Sequence, residues 1–233
     1  NQNDQHGGQS IPNFDYYLAP GVLKTYKRKL KENLQRYIDF KSIENNVVVE
    51  DTVVDKITQK LELNTIKPDI KDRRNFELIL KTELNKYFNV DYENVVNYLL
   101  DKSLKETDKQ TFQAMEAFVH NLNTMNSRAG SQVPFSSVNF GTDTSFEGRL
   151  VTKNLLFAVD AGLGKGETSI FPILIFKVKE GVNYNNYDPN YDLFQLACRV
   201  SAKRLFPNFS FLDAPFNLEY YEENNPDTEV TYM

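Results

Sequence analysis

The sequence contains a single cysteine, Cys198, among its 233 residues. One cysteine excludes an internal disulfide framework and any metal site built from several cysteines of this chain. Because Leu193, Leu196, Ala197 and Val200 surround it at helical spacing, we predict that Cys198 is a small buried packing residue and not a reactive thiol.

Long apolar runs are also missing from the sequence. No stretch approaches the roughly 18 consecutive apolar residues that a membrane-spanning helix requires. The first ten residues, NQNDQHGGQS, have neither the basic nor the apolar region of a secretory signal. We therefore expect a soluble, cytoplasmic protein with no membrane partner.

The net charge of −5 argues against general nucleic-acid binding, although the charge is unevenly distributed. Residues 24–41 carry seven Lys or Arg side chains against two acidic ones. Such a run is usually the solvated face of a helix, and the alternative is a surface that binds a polyanion. The charge pattern alone leaves both interpretations open.

The chain divides by composition into three sections. Residues 1–42 are predicted to start the main domain. Residues 1–20, rich in Gly, Asn, Gln and Asp, are predicted to be a loop, and a basic helix is predicted to begin at Pro20 and end near Ser42. Residues 43–106 contain three segments of helical spacing and are predicted to be a helical insertion or surface excursion. Residues 107–233 alternate helices with strands and hold the informative motifs.

In the third section, Thr107 and Gln110 predict a capping box at the start of a helix. Strands are predicted within 132–140, 169–178 and 207–213, and helices over 145–162 and 190–204. Phe206, Phe209 and Phe211 are predicted to be core residues. The run 169–178 is continuously apolar, which is typical of a strand buried on both faces. This alternation favours a parallel α/β sheet or barrel, with ligands beyond the carboxyl ends of its strands.

The stretch SRAGSQVPFSSVNFGTDTS, residues 127–145, places unusually many polar side chains in a predicted strand. A buried hydroxyl or amide without a partner costs about 1–3 kcal/mol, so these groups must bind one another, the backbone or a polar ligand. Their crowding favours a ligand, and the structural alternative stays open. The turn GLGKGE, residues 162–167, lacks the ending of a phosphate loop and is predicted to be a helix terminus followed by a tight turn.

Long blocks of the sequence resemble the anaerobic, class III ribonucleotide reductases, which are glycyl-radical enzymes. The blocks are NQNDQHGGQSIPNFDYYLAPGV, the stretch 127–145, GRLVTKNLLFAVDAGLGKGETSIFPILIFKVKEGVNY and DPNYDLFQLACRVSAKRLFPNFSFLDAPFNLEYY. The resemblance covers residues 1–22 and about 107–233. It implies that the chain forms part of a ten-stranded α/β barrel that reduces ribonucleoside triphosphates to deoxyribonucleotides.

The resemblance also implies cofactors and partners. In the family, a glycyl radical oxidises a loop cysteine to a thiyl radical, and a separate iron–sulfur activase that uses S-adenosylmethionine generates the glycyl radical. Formate or a thiol supplies the electrons, deoxynucleotides or ATP act as allosteric effectors, and the enzyme is a homodimer. None of these groups is expected to be bound as a metal or cofactor by this chain itself.

The resemblance implies candidate site residues as well. Those assigned to the substrate are Arg128, Gln132, Ser136, Ser137, Asn139 and His6, although His6 equally suits a purely structural hydrogen bond in its loop. Those assigned to the triphosphate of an effector are Lys24, Lys27, Arg28 and Lys31. Met233 is expected to lie in the active site, because the family's loop cysteine follows a Tyr-Met-Gly motif.

This chain ends at Met233, before the expected Gly-Cys, and it contains no C-terminal glycyl-radical motif. We therefore expect an internal segment of the catalytic subunit that is inactive as an isolated chain. The alternative is a non-catalytic nucleotide-binding or dimerisation module from a split or truncated gene.

Overall fold

A computed structural model describes residues 7–50, 52–125 and 133–218. The described residues form short strands and several helices, and two of the helices exceed 30 residues. In chain order they are β1 (Gln9–Ile11), α1 (Phe14–Asn45), α2 (Thr52–Lys60), α3 (Ile70–Leu84), α4 (Tyr92–Thr124), β2 (Ser136–Phe140), α5 (Phe146–Ala161), β3 (Ile173–Val178), α6 (Tyr191–Arg204), β4 (Asn208–Phe211) and α7 (Pro215–Leu218).

The strands form one parallel sheet in the order β1-β2-β3-β4. The register places Ser10 beside Ser137, Val138 beside Leu174, and Phe176 beside Phe209. Each parallel pair requires a crossover connection, and helices supply these crossovers. A mixed α/β fold with a parallel sheet is therefore confirmed, and the extension of these four strands into the predicted ten-stranded barrel is a proposal.

The chain separates into two compact units. One unit comprises residues 1–20 and 111–233 and contains the sheet, whereas the other comprises residues 21–110. Helices α1 and α4 each contribute residues to both units. The sequence predicted a different division, into residues 1–42, 43–106 and 107–233. The two compact units do not test that division, which stays a prediction.

Helix α5 follows directly from local sequence signals. Ser145 has an extended backbone, with φ −62° and ψ 151°, and its hydroxyl accepts a hydrogen bond from the Gly148 amide at 3.1 Å. Gly162 ends the helix with a φ of 79°, a conformation that residues with a Cβ rarely adopt. The helix predicted over 145–162 and the turn predicted after it are therefore confirmed.

Four phenylalanines form the aromatic centre of the sheet. The ring of Phe176 lies 5.6 Å from that of Phe140 and 6.1 Å from that of Phe209, measured between centroids. Phe194 of α6 closes the cluster at 5.8 Å from Phe209. Because these rings contact a helix, they identify the face of the sheet that packs against α6.

Three predictions about element boundaries are wrong. Residues 9–11 form the edge strand β1, although their composition predicted a loop. Helix α1 begins at Phe14 and contains Pro20 in its interior, so the proline is not its first residue. Helix α4 is continuous through Thr107, whose hydroxyl donates to the Ser103 carbonyl at 2.7 Å instead of capping a helix start.

Two side chains predicted to be buried are exposed. Cys198 is exposed on α6. The buried face of this helix comprises Leu193, Ala197 and Val200, and Cys198, the residue after Ala197, lies outside that face. Phe211, at the end of edge strand β4, is 50% exposed, whereas Phe209 packs in the aromatic cluster.

The second unit, residues 21–110, has its own apolar core. Tyr26, Leu34, Ile57, Leu80, Leu84 and Leu99 are its most deeply buried side chains. Asp69 caps α3, since its carboxylate accepts from the Asp72 amide at 2.8 Å. Among the residues that the structure describes, no helix is both long and apolar enough to cross a bilayer.

Gly141, directly after β2, should not tolerate a side chain. Its φ is 113°, and a Cβ there would lie 2.9 Å from the Phe176 ring. We expect Gly141→Ala to lower the free energy of unfolding of the 233-residue chain by about 2–4 kcal/mol. Urea unfolding followed by circular dichroism measures this. The matched control is Gly164→Ala, where a Cβ meets no atom within 4 Å, and equal losses in the two variants would contradict the prediction.

Candidate functional site

A buried polar network fills the carboxyl ends of β1, β2 and β3. We call Asp15, Asp143, Asn183 and Asn190 the carboxyl-end network. Asp15, in the first turn of α1, is fully buried, and its Oδ2 accepts from the amides of Gly141 at 2.8 Å and Asp143 at 3.1 Å. This carboxylate therefore holds the turn that follows β2.

The two asparagines complete the network from the loop after β3. The side-chain amide of Asn183 donates to the carbonyls of Gly141 at 3.0 Å and Lys177 at 2.8 Å. The side-chain amide of Asn190 donates to the carbonyls of Gly141 at 3.1 Å and Asp143 at 2.9 Å. The protein's own groups thus occupy the place where the sequence predicted ligands.

Two cations border the network. Arg149 donates to Asn190 Oδ1 at 2.7 Å and forms two hydrogen bonds to the Asp192 carboxylate, at 3.0 and 2.8 Å. Lys177 is fully buried and donates from Nζ to Asn13 Oδ1. A buried ammonium requires such acceptors, so Lys177 joins β3 to the turn that follows β1.

The pKa of the Asp143 carboxyl is raised above its ordinary value. Burial raises the pKa of Asp143, hydrogen bonds from Ser145 lower it, and the carboxylates of Asp15 and Glu147 raise it. Gly148 adjoins the same carboxyl, because a Cβ built there would lie only 2.0 Å from Asp143 Oδ2. The first turn of α5 therefore fixes Asp143 in place.

The sheet face opposite the aromatic cluster is lined mostly by polar side chains. Side chains alternate along a strand, and parallel partners share a face, so the register defines its members. The polar face comprises Ser10, Ser137, Asn139, Lys177, Asn208 and Ser210, together with Ile173 and Ile175. At its centre Asn139 is 2% exposed and Lys177 is fully buried. A face with amide, hydroxyl and ammonium groups that is buried at its centre and open at its edges is suited to binding a polar anionic molecule.

The structure separates two of the predicted substrate residues that are neighbours in sequence. Ser137 and Asn139 lie on the polar face, whereas Ser136 lies on the face shared with Phe140. Ser136 is buried, and its hydroxyl donates to the Pro134 carbonyl at 3.4 Å. Arg128, Gln132, His6 and Met233 lie outside the described residues, and their assignment stays a prediction.

Sequence reasoning missed Lys177 because it lies in the apolar run 169–178. The signal was present in the parity of ILIFKV, residues 173–178, which places Lys177 on the same side as Ile175. Asn208 and Ser210 of β4 were also missed, because the sequence does not show which strand lies beside β3. Only the strand register reveals that these residues share a face with Asn139.

A separate cavity of about 540 Å³ lies within residues 21–110, between α1 and α4. Its lining residues are Asn33, Arg36, Tyr37, Phe40, Lys41, Asn94, Val95, Tyr98 and Lys102. The three cations also contact glutamates: Arg36 and Lys102 lie 3.5 and 3.7 Å from Glu106, and Lys41 lies 2.5 Å from Glu44. Aromatic walls with a cationic rim are suited to a planar anionic ligand.

The residues predicted to bind an effector lie nearer the start of α1 than this cavity does. Lys24, Lys27, Arg28 and Lys31 are all exposed. Arg28 donates to Gln110 Oε1 at 3.0 Å, and Lys31 lies 2.5 Å from the Asp55 carboxylate. None of the four cations lines the cavity of residues 21–110, and their assignment stays a prediction.

Comparison with known proteins identifies the family. A family model described as anaerobic ribonucleoside-triphosphate reductase matches residues 1–233, the whole chain. The chain therefore belongs to the anaerobic ribonucleoside-triphosphate reductase family.

Three relatives carry that same description. The chain is 39% identical over 103 residues to the protein of Escherichia coli K12, an alignment that covers 44% of this chain and 14% of the relative. It is 40% identical over 110 residues to the protein of enterobacteria phage T4, an alignment that covers 47% of this chain and 18% of the relative. It is 33% identical over 134 residues to the protein of Haemophilus influenzae Rd, an alignment that covers 54% of this chain and 19% of the relative. The chain spans less than a fifth of the length of these relatives.

Loss of the Asn190 side chain should destabilise the sheet unit. In Asn190→Ala the Asp143 carbonyl loses its donor, and Arg149 loses one acceptor. We expect the free energy of unfolding to fall by about 2–3 kcal/mol, as for a buried polar group left unpaired. Urea unfolding of the chain tests this against Asn186→Ala, an exposed asparagine in the same loop. A loss no larger than that of the control would contradict the role assigned to Asn190.

Proposed function

We propose that this chain is a segment of an anaerobic ribonucleotide reductase that reduces ribonucleoside triphosphates to deoxyribonucleotides, and that its polar face contributes to the substrate site. The observation that carries the proposal is the group Ser137, Asn139 and Lys177 on one side of a parallel sheet whose other side packs on a helix. Membership of the family supports the reaction class.

In this proposal the four strands are part of a ten-stranded barrel with the polar face directed inward. A barrel strand has one face toward the surrounding helices and one toward the interior, which agrees with the aromatic and polar faces here. The enclosed interior would exclude water from a radical reaction and so limit side reactions.

Each polar side chain has a specific role in the proposed site. The Ser137 hydroxyl and the Asn139 amide can donate to and accept from the hydroxyl groups of a ribose. The Lys177 ammonium attracts the negative charge of a triphosphate. These residues bind and orient the substrate, and no radical is assigned to them.

The remaining chemistry is proposed for the whole enzyme. It comprises a glycyl radical generated by an iron–sulfur activase with S-adenosylmethionine, a thiyl radical, and formate or a thiol as reductant. A homodimer is likewise proposed for the whole enzyme.

Neighbouring serines on opposite faces provide a matched test of the substrate site. In the whole reductase subunit, Ser137→Ala should raise KM for ribonucleoside triphosphates about three- to tenfold, because one hydrogen bond to the substrate is lost. Ser136→Ala is the control on the aromatic face, and it should leave KM unchanged. Steady-state reduction assays with thermal melting of each variant measure both quantities. A Ser136→Ala effect equal to that of Ser137→Ala would refute the assignment of faces.

A second candidate function is binding of a deoxynucleotide effector in the cavity of residues 21–110. The cavity places the rings of Tyr37, Phe40 and Tyr98 beside the cations Arg36, Lys41 and Lys102, which suits a base and its phosphates. This function would persist in a module without radical chemistry, which is the alternative that the sequence left open.

Paired charge-neutralising variants distinguish the cavity from the cations first predicted from sequence. We expect Arg36→Gln with Lys102→Gln to weaken deoxynucleotide binding to the whole subunit at least tenfold, since two phosphate contacts are lost. Lys24→Gln with Lys27→Gln removes the same charge elsewhere on α1 and should change affinity less than about twofold. Equilibrium dialysis measures both affinities, and the reverse order would exclude the cavity as the effector site.

A further inference from the structure

Asn13, in the turn between β1 and α1, accepts a hydrogen bond from the Lys177 ammonium through its side-chain Oδ1. The two residues are 164 positions apart in sequence, so this bond joins the turn to β3 only in the folded protein. Lys177 is fully buried. A buried cation needs fixed acceptors in place of water, and the Asn13 side chain supplies one of them.

The backbone of Asn13 has a left-handed conformation, with a φ of 52°. Residues that have a Cβ rarely adopt this conformation, whereas glycine adopts it without strain. Asparagine is one of the few other residues that tolerate it. A turn that required only this backbone geometry would be best served by glycine. The asparagine here indicates that the side chain has a role of its own.

The residues that follow Asn13 fix its position. The Asn13 carbonyl accepts from the Tyr17 amide at 3.0 Å in the first turn of α1. Phe14 is buried, and its ring stacks on that of Phe118 with the centroids 5.3 Å apart. Asp15 is fully buried and accepts from two backbone amides after β2. Because its neighbours are anchored on three sides, Asn13 presents its Oδ1 to Lys177 from a fixed place.

The acceptor that Asn13 provides is electrically neutral. An amide oxygen orients an ammonium group through a charge-assisted hydrogen bond but does not cancel its charge, as a carboxylate would. The strand register places Lys177 on the polar face together with Ser137 and Asn139. The bond from Lys177 to Asn13 therefore sets the direction of a cation on that face.

We propose that Asn13 is a positioning residue for the substrate, because it holds the Lys177 ammonium where that group attracts the phosphates of a ribonucleoside triphosphate. This role rests on the proposed function, in which Lys177 is part of the substrate site. It adds a residue that belongs to none of the strands. Asn13 acts through Lys177, and no contact with the substrate is assigned to it.

Replacing Asn13 by glycine removes the side chain and keeps the backbone conformation. In the whole reductase subunit, Asn13→Gly should raise KM for ribonucleoside triphosphates about three- to tenfold, because the ammonium loses its orientation. The kcat should change less than about twofold, since the reacting groups are untouched. The matched control is Asn46→Gly, an exposed asparagine with a φ of 49°, which should leave KM unchanged.

The charge of the ligand separates a positioning role from a purely structural one. Competitive inhibition by a ribonucleoside diphosphate and by the ribonucleoside, which has no phosphate, measures this in wild type and Asn13→Gly. The variant should bind the diphosphate about three- to tenfold more weakly and the ribonucleoside within about twofold of wild type. Equal weakening of both ligands would mean that the site is loosened in general, and it would overturn the proposal.

Lys177→Met distinguishes failure of this role from failure of the proposed function. If Lys177→Met raises KM and Asn13→Gly does not, Asn13 has no positioning role and the proposed substrate site stands. If neither variant raises KM, both are overturned. If both raise KM, the double variant should bind no more weakly than Lys177→Met alone, and additive effects would contradict action through Lys177.

Thermal melting shows whether each variant is folded. If Lys177→Met does not fold, the measurements on Asn13→Gly decide. A raised KM with unchanged affinity for the ribonucleoside supports the positioning role, and an unchanged KM excludes it.

Discussion

The sheet depends on one carboxylate, Asp15, and on its hydrogen bonds to the amides of Gly141 and Asp143. The bond to Gly141 connects groups 126 residues apart in sequence. Parallel strands cannot be joined by a tight turn, so β1 and β2 meet only after a long connection whose ordering is entropically costly. A charge-assisted bond at this point fixes the turn after β2, and Asn183 and Asn190 then attach the loop after β3 to the same Gly141 carbonyl.

Elements with local signals were predictable from sequence. The helix that Ser145 begins and Gly162 ends has its cap, its amphipathic spacing and its terminator within its own residues. The strand β1 has no such signal, because three residues with one apolar side chain become a strand only through pairing with β2. Thr107 misled the prediction since a threonine hydroxyl also bonds to the carbonyl four residues before it inside a helix.

The candidate site was predictable only in part. The unusual polarity of 132–140 identified Ser137 and Asn139, but composition could not separate them from Ser136, whose side chain has the opposite parity. Lys177 was hidden in an apolar run, and its place beside Asn139 is set by strand register, which no single segment encodes. The prediction of ligands at the carboxyl ends failed to anticipate that Asp15, Asn183 and Asn190 fill that region themselves.

The alternation of side chains along β2 also restricts how this sequence can change in length. Inserting or deleting one residue between Ser136 and Phe140 would exchange the two faces beyond that point, turning Asn139 toward Phe194 of α6 and an aromatic ring toward Lys177. Loop residues such as Asn186, exposed between β3 and α6, are under no such constraint. Variation in length among related chains should therefore accumulate in the loops and be excluded from β2.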